Sequence, residues 1–313
     1  MNFYFAPMEG LTGYIYRNAH NTFFNNIDKY FSPFIVANQS NSFKARELND
    51  ILPENNQGLV LIPQLLTNNA KDFIHTSNKI KQFGYNEINL NLGCPSGTVV
   101  SKNKGSGFLS KTEELNLFFE EIFSEATTKI SVKTRIGKDQ PEEFYHLIEI
   151  FNKYPIEELI IHPRTQKDFY NNKPNLKIFK DALTLSKNPV CYNGDIRTVT
   201  DYREFSNDFS SVETLMLGRG LLANPGLISD IENNTKLEKK LLKDFHDKIY
   251  EDYKKILFGD RNVLFKMKEL WFYMMPMFSD NAKYAKKIRK SERLYDYDEA
   301  ILSLFREQDI MEV

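Results

Sequence analysis

The 313-residue chain has only two cysteines, Cys94 and Cys191. Two thiols do not build a disulfide framework, so a reducing, cytoplasmic setting is expected. Long apolar runs are also missing: no uninterrupted stretch reaches the roughly 20 residues needed to cross a bilayer, so no membrane association is expected. The opening MNFYFAPMEG has neither a basic n-region nor a long apolar core, and predicts no signal peptide. Net charge is nearly absent, at −1. Any RNA-binding surface must therefore be a local basic patch on a neutral protein. The five histidines are scattered, no Cys/His/Asp/Glu cluster has metal-site spacing, and no metal is expected. No strand leads into G-x-G-x-x-G and there is no P-loop, so a Rossmann nicotinamide domain is not indicated.

What the chain does have is a rhythm. Short apolar segments at 3–8, 30–36, 59–65, 87–92, 129–135, 158–164, 189–193 and 214–217 read as strands, and amphipathic helical stretches lie between most of them. Strand and helix in alternation argue for an α/β fold with a parallel sheet. Eight strands in about 230 residues fit a (β/α)8 TIM barrel, with an open doubly wound sheet as the alternative. After Pro225 the pattern turns helical, and Asn233-Asn234-Thr235 reads as a linker. The expected division is a barrel over 1–233 and a small all-α domain over 234–313.

Alternate residues of a strand face one side, and inside a barrel one parity points inward. Asn89 and Asn91 share a parity, as do Lys133 and Arg135, and His162 and Arg164; Gln64 ends another strand. Each polar set lies at the C-terminal end of its strand, where barrel active sites are built. Singly, these residues have plainer readings: a turn-forming Asn, a solvated rim charge, a satisfied core histidine, and for Cys94 a small buried hydrophobe. Repeated over four strands, they point to a polar ligand. Gly194 follows one late strand, and Gly218 and Gly220 flank Arg219 after the last. Glycines let backbone N–H groups approach an anion, and loops after barrel strands 7 and 8 often hold phosphate. A phosphorylated cofactor or substrate is the expectation.

With these motifs in place, the chain resembles the tRNA-dihydrouridine synthases, flavin-dependent enzymes that reduce specific uridines in tRNA. The matching stretches are APMEGLTG (6–13), NLGCPSGTVVSKNKGSGFLS (91–110), SVKTRIG (131–137), IHPRT (161–165), NGDI (193–196) and LGRGLLANP (217–225). The resemblance implies an FMN-containing barrel and a helical domain that helps bind tRNA, with NADPH or NADH as reductant. It assigns FMN contacts to Pro7, Met8, Gln64, Lys133 and His162, and to the loops holding Asn193, Gly194, Asp195, Gly218 and Arg219. It makes Cys94 the general acid. Reducing the uracil C5–C6 bond takes a hydride at C6, from flavin N5, and a proton at C5. A thiol with an ordinary pKa of about 8.5 is protonated at neutral pH yet able to donate.

On the substrate side, Asn91 is expected to orient the uracil and Arg164 to contact substrate. The glycines of 97–107 suit a mobile loop over the base, where Lys102 and Lys104 would meet RNA phosphates; solvated loop charge is the other reading. Tyr170, with Phe169, is a stacking candidate, against ordinary loop packing. Lys286 and Lys290 lie with Lys283 and Lys287 on one helical face. From Arg261 to Arg293 there are nine Lys and Arg against three Asp and Glu, a basic face suited to RNA phosphates.

Glu9 and Gly13 depart from the usual opening motif, and KMKELWFYM stands where a histidine is expected early in the helical domain. These departures leave the subfamily and the modified tRNA position open. A monomer is expected. The rival readings are a flavin barrel acting on a free pyrimidine or other small molecule, a lyase using Lys133 as a Schiff base, and a non-catalytic RNA-binding relative.

Overall fold

The computed structural model describes residues 1–40 and 42–311. Its strands are β1 (Asn2–Phe5), β2 (Lys29–Phe31), β3 (Ile35–Val36), β4 (Leu61–Ile62), β5 (Gln64–Leu66), β6 (Glu87–Leu92), β7 (Lys129–Gly137), β8 (Leu159–Thr165), β9 (Val190–Tyr192) and β10 (Thr214–Leu217). All pair in parallel, in the order β3-β5-β6-β7-β8-β9-β10-β1-β2-β4. The two ends of that order are continuous in the chain. β2 runs into β3 across Pro33, and β4 into β5 across Pro63, while β2 pairs with β4 and β3 with β5. The ring is therefore a closed eight-stranded barrel. The strands expected at 30–36 and 59–65 are each interrupted because proline has no N–H for the ladder. Pro63 still accepts the Asn89 N–H at 2.9 Å.

Strand alternation divides the core in two. Tyr4, Ala6, Phe31, Ile62, Ile160, Cys191 and Met216 pack inside the barrel. The opposite parity, including Phe3, Phe5, Tyr30, Leu90, Val132, Ile161 and Leu217, packs outward against the helices. Above the apolar filling the interior turns polar: register sets Gln64 beside Asn89, Asn89 beside Ser131, and Asn91 beside Lys133. Apolar layers below and polar layers above make the C-terminal strand ends the wet end of the interior.

Four helices follow, Lys239–Ile256, Asp260–Met274, Ala282–Lys290 and Leu294–Glu307. The first leans on helix Tyr14–Phe23 of the barrel through Phe245, edge-on to Tyr16 at 5.5 Å. It also carries a histidine, His246, where the sequence reading found none in the early helical region. His246 is buried and tied to Tyr297 at 2.6 Å, while Trp271 Nε1 donates to the same hydroxyl at 2.7 Å. This network joins three helices of the bundle. No helix among the described residues is long and apolar enough to cross a membrane.

Candidate active site

A cavity of about 300 Å³ opens at the C-terminal strand ends. Of the expected site residues, Pro7, Met8, Gln64, Asn91, Cys94, Lys133, His162 and Tyr170 line it. They come from five strands and their loops, so only the closed barrel brings them together. Arg135, of the strand-end polar set, lines it as well, and the cavity also takes in Glu9, Phe34 and Tyr273, which the sequence does not mark as site residues. Tyr273 comes from helix Asp260–Met274, so the helical region closes one side.

A chain of amides forms the floor. Gln64 Nε2 donates to Asn89 Oδ1 at 2.8 Å, Asn89 Nδ2 to Ser131 Oγ at 2.9 Å, and Asn91 Nδ2 to Gln64 Oε1 at 2.7 Å. Buried amides must be paired, and these pair one another. Asn91 Oδ1 also accepts the backbone N–H of Gly93 and of Cys94. Asn91 therefore shapes the turn bearing the thiol and keeps one amide N–H for the cavity.

The loop that follows is compact. Cys94 O accepts from Ser106 N at 3.1 Å and Ser106 Oγ at 2.8 Å. Gly105 has φ +57°, and a Cβ there would lie 2.8 Å from Cys94 O. The expectation that this glycine confers mobility gives way to a steric reason: it lets residues 105–107 pack directly under the cysteine turn. Lys102 is exposed and Lys104 half-buried, and neither lines the cavity.

Charge inside the cavity is mostly positive. Lys133 is half-buried with no hydrogen-bonding partner among the described residues. Burial, then the nearby Arg135 charge, lowers its pKa to about 8. Arg135 is spent on the backbone, donating to Gly93 O, Thr165 O and Phe169 O at 2.7–2.9 Å. His162 Nε2 lies 3.0 Å from Arg164 Nη1. A guanidinium only donates, so Nε2 accepts and the neutral ring carries its proton on Nδ1. Burial and the charges of Arg135, Lys133, Arg164 and Arg219 hold the His162 pKa well below its ordinary value. Burial likewise pushes the Cys94 thiol up, against a backbone hydrogen bond from Ser96 and the charge of Arg135. The thiol stays protonated at neutral pH.

Arg164 was expected to contact substrate. It is instead 1% exposed and forks onto Asp195 at 3.0 and 2.6 Å, with Nε donating to Asn172 O at 2.6 Å. It is an internal strut. Asp195, an expected FMN-loop residue, is held by Arg164, by Arg219 at 2.5 Å, and by Arg197 at 3.6 Å. Burial raises its pKa, but these cations outweigh burial and keep it ionised. Three arginines around one carboxylate leave excess positive charge beside Gly194 and Gly218. Asn193 staples β9 to β10 through Met216 O at 2.7 Å. Gly194 must be glycine because a Cβ would fall 1.9 Å from Tyr192 Oη. Gly218 sits against Ala6 and Met8. Arg219 lies 4.6 Å over the Tyr170 ring, which also faces Arg135 at 5.4 Å. The anion loops thus adjoin the cavity through Met8, Tyr170 and His162.

Lys286 and Lys290 lie away from this cavity. With Lys283, Lys287 and Arg306 they line a groove of about 900 Å³ between helices Ala282–Lys290 and Leu294–Glu307, where Asp296 and Glu299 offset part of the charge. No cluster of three His, Cys, Asp or Glu side chains among the described residues could hold a metal.

Fold and site define a (β/α)8-barrel protein with one cationic, thiol-bearing cavity at its strand ends. The architecture is shared with morphinone reductase (TM-score 0.53, 10% identity, 76% of this chain and 87% of that one). It is also shared with a variant of NCR from Zymomonas mobilis (TM-score 0.52, 12% identity, 78% and 90%). The chain belongs to the dihydrouridine synthase (Dus) family, whose model matches residues 4–305. Relatives include a probable tRNA-dihydrouridine synthase of Helicobacter pylori, 32% identical over 60% of this chain and 57% of that protein. A tRNA-dihydrouridine(16) synthase of Pseudomonas putida is 29% identical over 71% and 70%. A Schizosaccharomyces pombe tRNA-dihydrouridine(20a/20b) synthase, whose name includes NAD(P)+, is 24% identical over 66% and 72%. The matched part thus spans little more than half of the Helicobacter pylori relative's length.

Proposed function

We propose that this chain reduces uridines in tRNA to 5,6-dihydrouridine, with FMN as cofactor and NADPH as reductant. Residues 1–233 hold the cofactor and the target base, and 234–313 help hold the tRNA. The observation that carries this reading is the cavity shared by a protonated Cys94 thiol, an unpaired Lys133 ammonium and a neutral His162. Family membership supports it independently.

The residues present fit an anionic flavin nucleotide. Among the described residues, Lys133 and the His162 Nδ1–H are donors without partners, and Gln64 keeps one free amide N–H on the cavity floor. Arg219 and the glycine loops at 194 and 218 supply an adjoining cationic cradle for a phosphate. When bound, FMN supplies a hydride for uracil C6. The chain itself supplies the proton at C5: the Cys94 S–H bond breaks as the C5–H bond forms, and solvent then reprotonates the thiolate. His162 does not compete, because its ring is held neutral and a neutral imidazole N–H is far too weak an acid to deliver the proton. Asn91 holds the cysteine turn and offers its remaining N–H to the polar edge of the base.

The test is to incubate flavin-loaded protein with NADPH and tRNA lacking the modification, then digest the RNA and quantify dihydrouridine by mass spectrometry. Product dependent on NADPH supports the reading. No product from protein that holds flavin and is reduced by NADPH refutes it for the tRNAs supplied.

A further inference from the structure

Helix Asp260–Met274 is seated at the mouth of the barrel. Lys266 Nζ donates to Gly10 O at 2.7 Å, and Tyr273 forms part of the cavity wall. The solvent side of the helix exposes two phenylalanines, Phe265 at 60% and Phe272 at 78%. Seven residues apart, they share one face, roughly 10 Å from each other along the axis. Phe272 packs edge-on to Tyr273, with ring centroids 5.2 Å apart and planes at 87°. Aromatic surface therefore runs from the cavity wall to the outside. The helix already buries Val263, Leu264, Met267, Leu270, Trp271 and Met274, so folding does not call for the two exposed rings. Lys266 Nζ lies 5.7 Å from the centre of the Phe265 ring, and Phe272 lines a groove together with Lys268, Lys286 and Arg289. Exposed aromatic rings set among basic side chains complement a polyanion that also presents flat apolar faces, which is what RNA with unpaired bases presents.

We propose that Phe265 and Phe272 form a stacking platform for unpaired nucleobases of the RNA, beside the base that enters the cavity. The inference rests on the reading of the chain as a tRNA-reducing enzyme and adds which surface holds the substrate open. A base drawn out of its stack leaves its neighbours with a bare face. A phenylalanine next to the cavity covers that face without reading sequence, because every base has a π surface.

The test is fluorescence anisotropy of labelled, unmodified tRNA binding to the full-length, flavin-loaded protein at fixed salt. The proteins compared are wild type, Phe265→Ala, Phe272→Ala, Phe272→Leu and Phe272→Trp. Phe272→Ala is expected to weaken binding at least about fivefold. Phe272→Leu should follow it, and Phe272→Trp should restore affinity. Flavin content and the rate of NADPH oxidation without tRNA should stay at wild-type values, which separates stacking from misfolding. Equal affinity across the series, in a protein that makes dihydrouridine, overturns the platform and leaves the enzyme reading intact. A wild-type dimer that Phe272→Ala dissociates overturns it in favour of self-association. A wild type that neither binds tRNA nor makes dihydrouridine overturns both.

Discussion

The side-chain oxygen of Asn91 accepts the backbone N–H of Cys94 at 2.9 Å, and that of Gly93 at 3.0 Å. The last inward-facing residue of β6 therefore sets the turn on which the thiol stands. Its own orientation is fixed by the amide it gives to Gln64. Asparagine suits the position because one side chain must accept twice and donate at least once.

Replacing that residue exposes the dependence. Asn91→Ala leaves two backbone N–H groups and the Gln64 oxygen without partners, at about 1–3 kcal/mol for each buried group that water does not reach. The expected outcome is a folded but less stable protein, seen as a lower Tm. Its uridine-reducing rate should fall at least tenfold while it still holds flavin, because the thiol is misplaced and the cofactor contacts remain.

Lys133 makes a separate, pH-dependent contribution. Its ammonium loses its proton as pH rises through about 8, so attraction for an anionic cofactor is present below that pH and fades above it. Flavin affinity, followed by fluorescence on dilution, should fall between pH 7 and 9. Lys133→Ala should bind flavin weakly at pH 7 and lose most of that pH dependence. Full flavin retention by the variant contradicts the assignment.

At the opposite end of the barrel Glu158 is a cost to the fold. It is buried, receives a hydrogen bond from Tyr4 Oη at 3.3 Å, and leaves Oε2 without a partner among the described residues. Burial raises its pKa from 4.5 to about 7, with Lys29 pulling the other way. Below 4.5 the folded and unfolded chains both carry the proton. Between 4.5 and about 7 only the folded chain keeps it, so stability falls as pH rises through this window. Above it the full cost applies, on the order of 3 kcal/mol. Glu158→Gln should therefore raise Tm relative to wild type more at pH 8 than at pH 5. An equal shift at both pH values contradicts this account.

The thiol predicts its own signature. Cys94→Ala should keep flavin and tRNA affinity yet lose about 100-fold or more in uridine reduction. Since burial holds the wild-type thiol protonated, the proton-delivery step should not weaken until pH exceeds the ordinary thiol range.

Strand-end chemistry was legible in the sequence because a strand has a period of two. Asn89 with Asn91, Lys133 and His162 declare their side of the sheet through that alternation. The breaks at Pro33 and Pro63 were less visible, since apolar runs continue through both prolines. Arg164 looked like a substrate ligand by parity alone; its forked pairing with Asp195, 31 residues on, depends on where two loops meet. Gly105 read as flexibility, but its conformation and contacts make it a packing residue. Tyr273 was hidden for another reason. Helical periodicity says which face of Asp260–Met274 is buried, but not that a neighbouring position would reach the barrel mouth.

The most direct test compares wild type and Cys94→Ala, both loaded with flavin and fully reduced, mixed in single turnover with excess unmodified tRNA and sampled for dihydrouridine. The account predicts one dihydrouridine per active site in the wild type and a rate at least about 100-fold lower in the variant, with equal flavin and equal bound tRNA. Equal rates in the two proteins would contradict Cys94 as the proton donor. No dihydrouridine from either, with flavin reduced and tRNA bound, would contradict the proposed reaction itself.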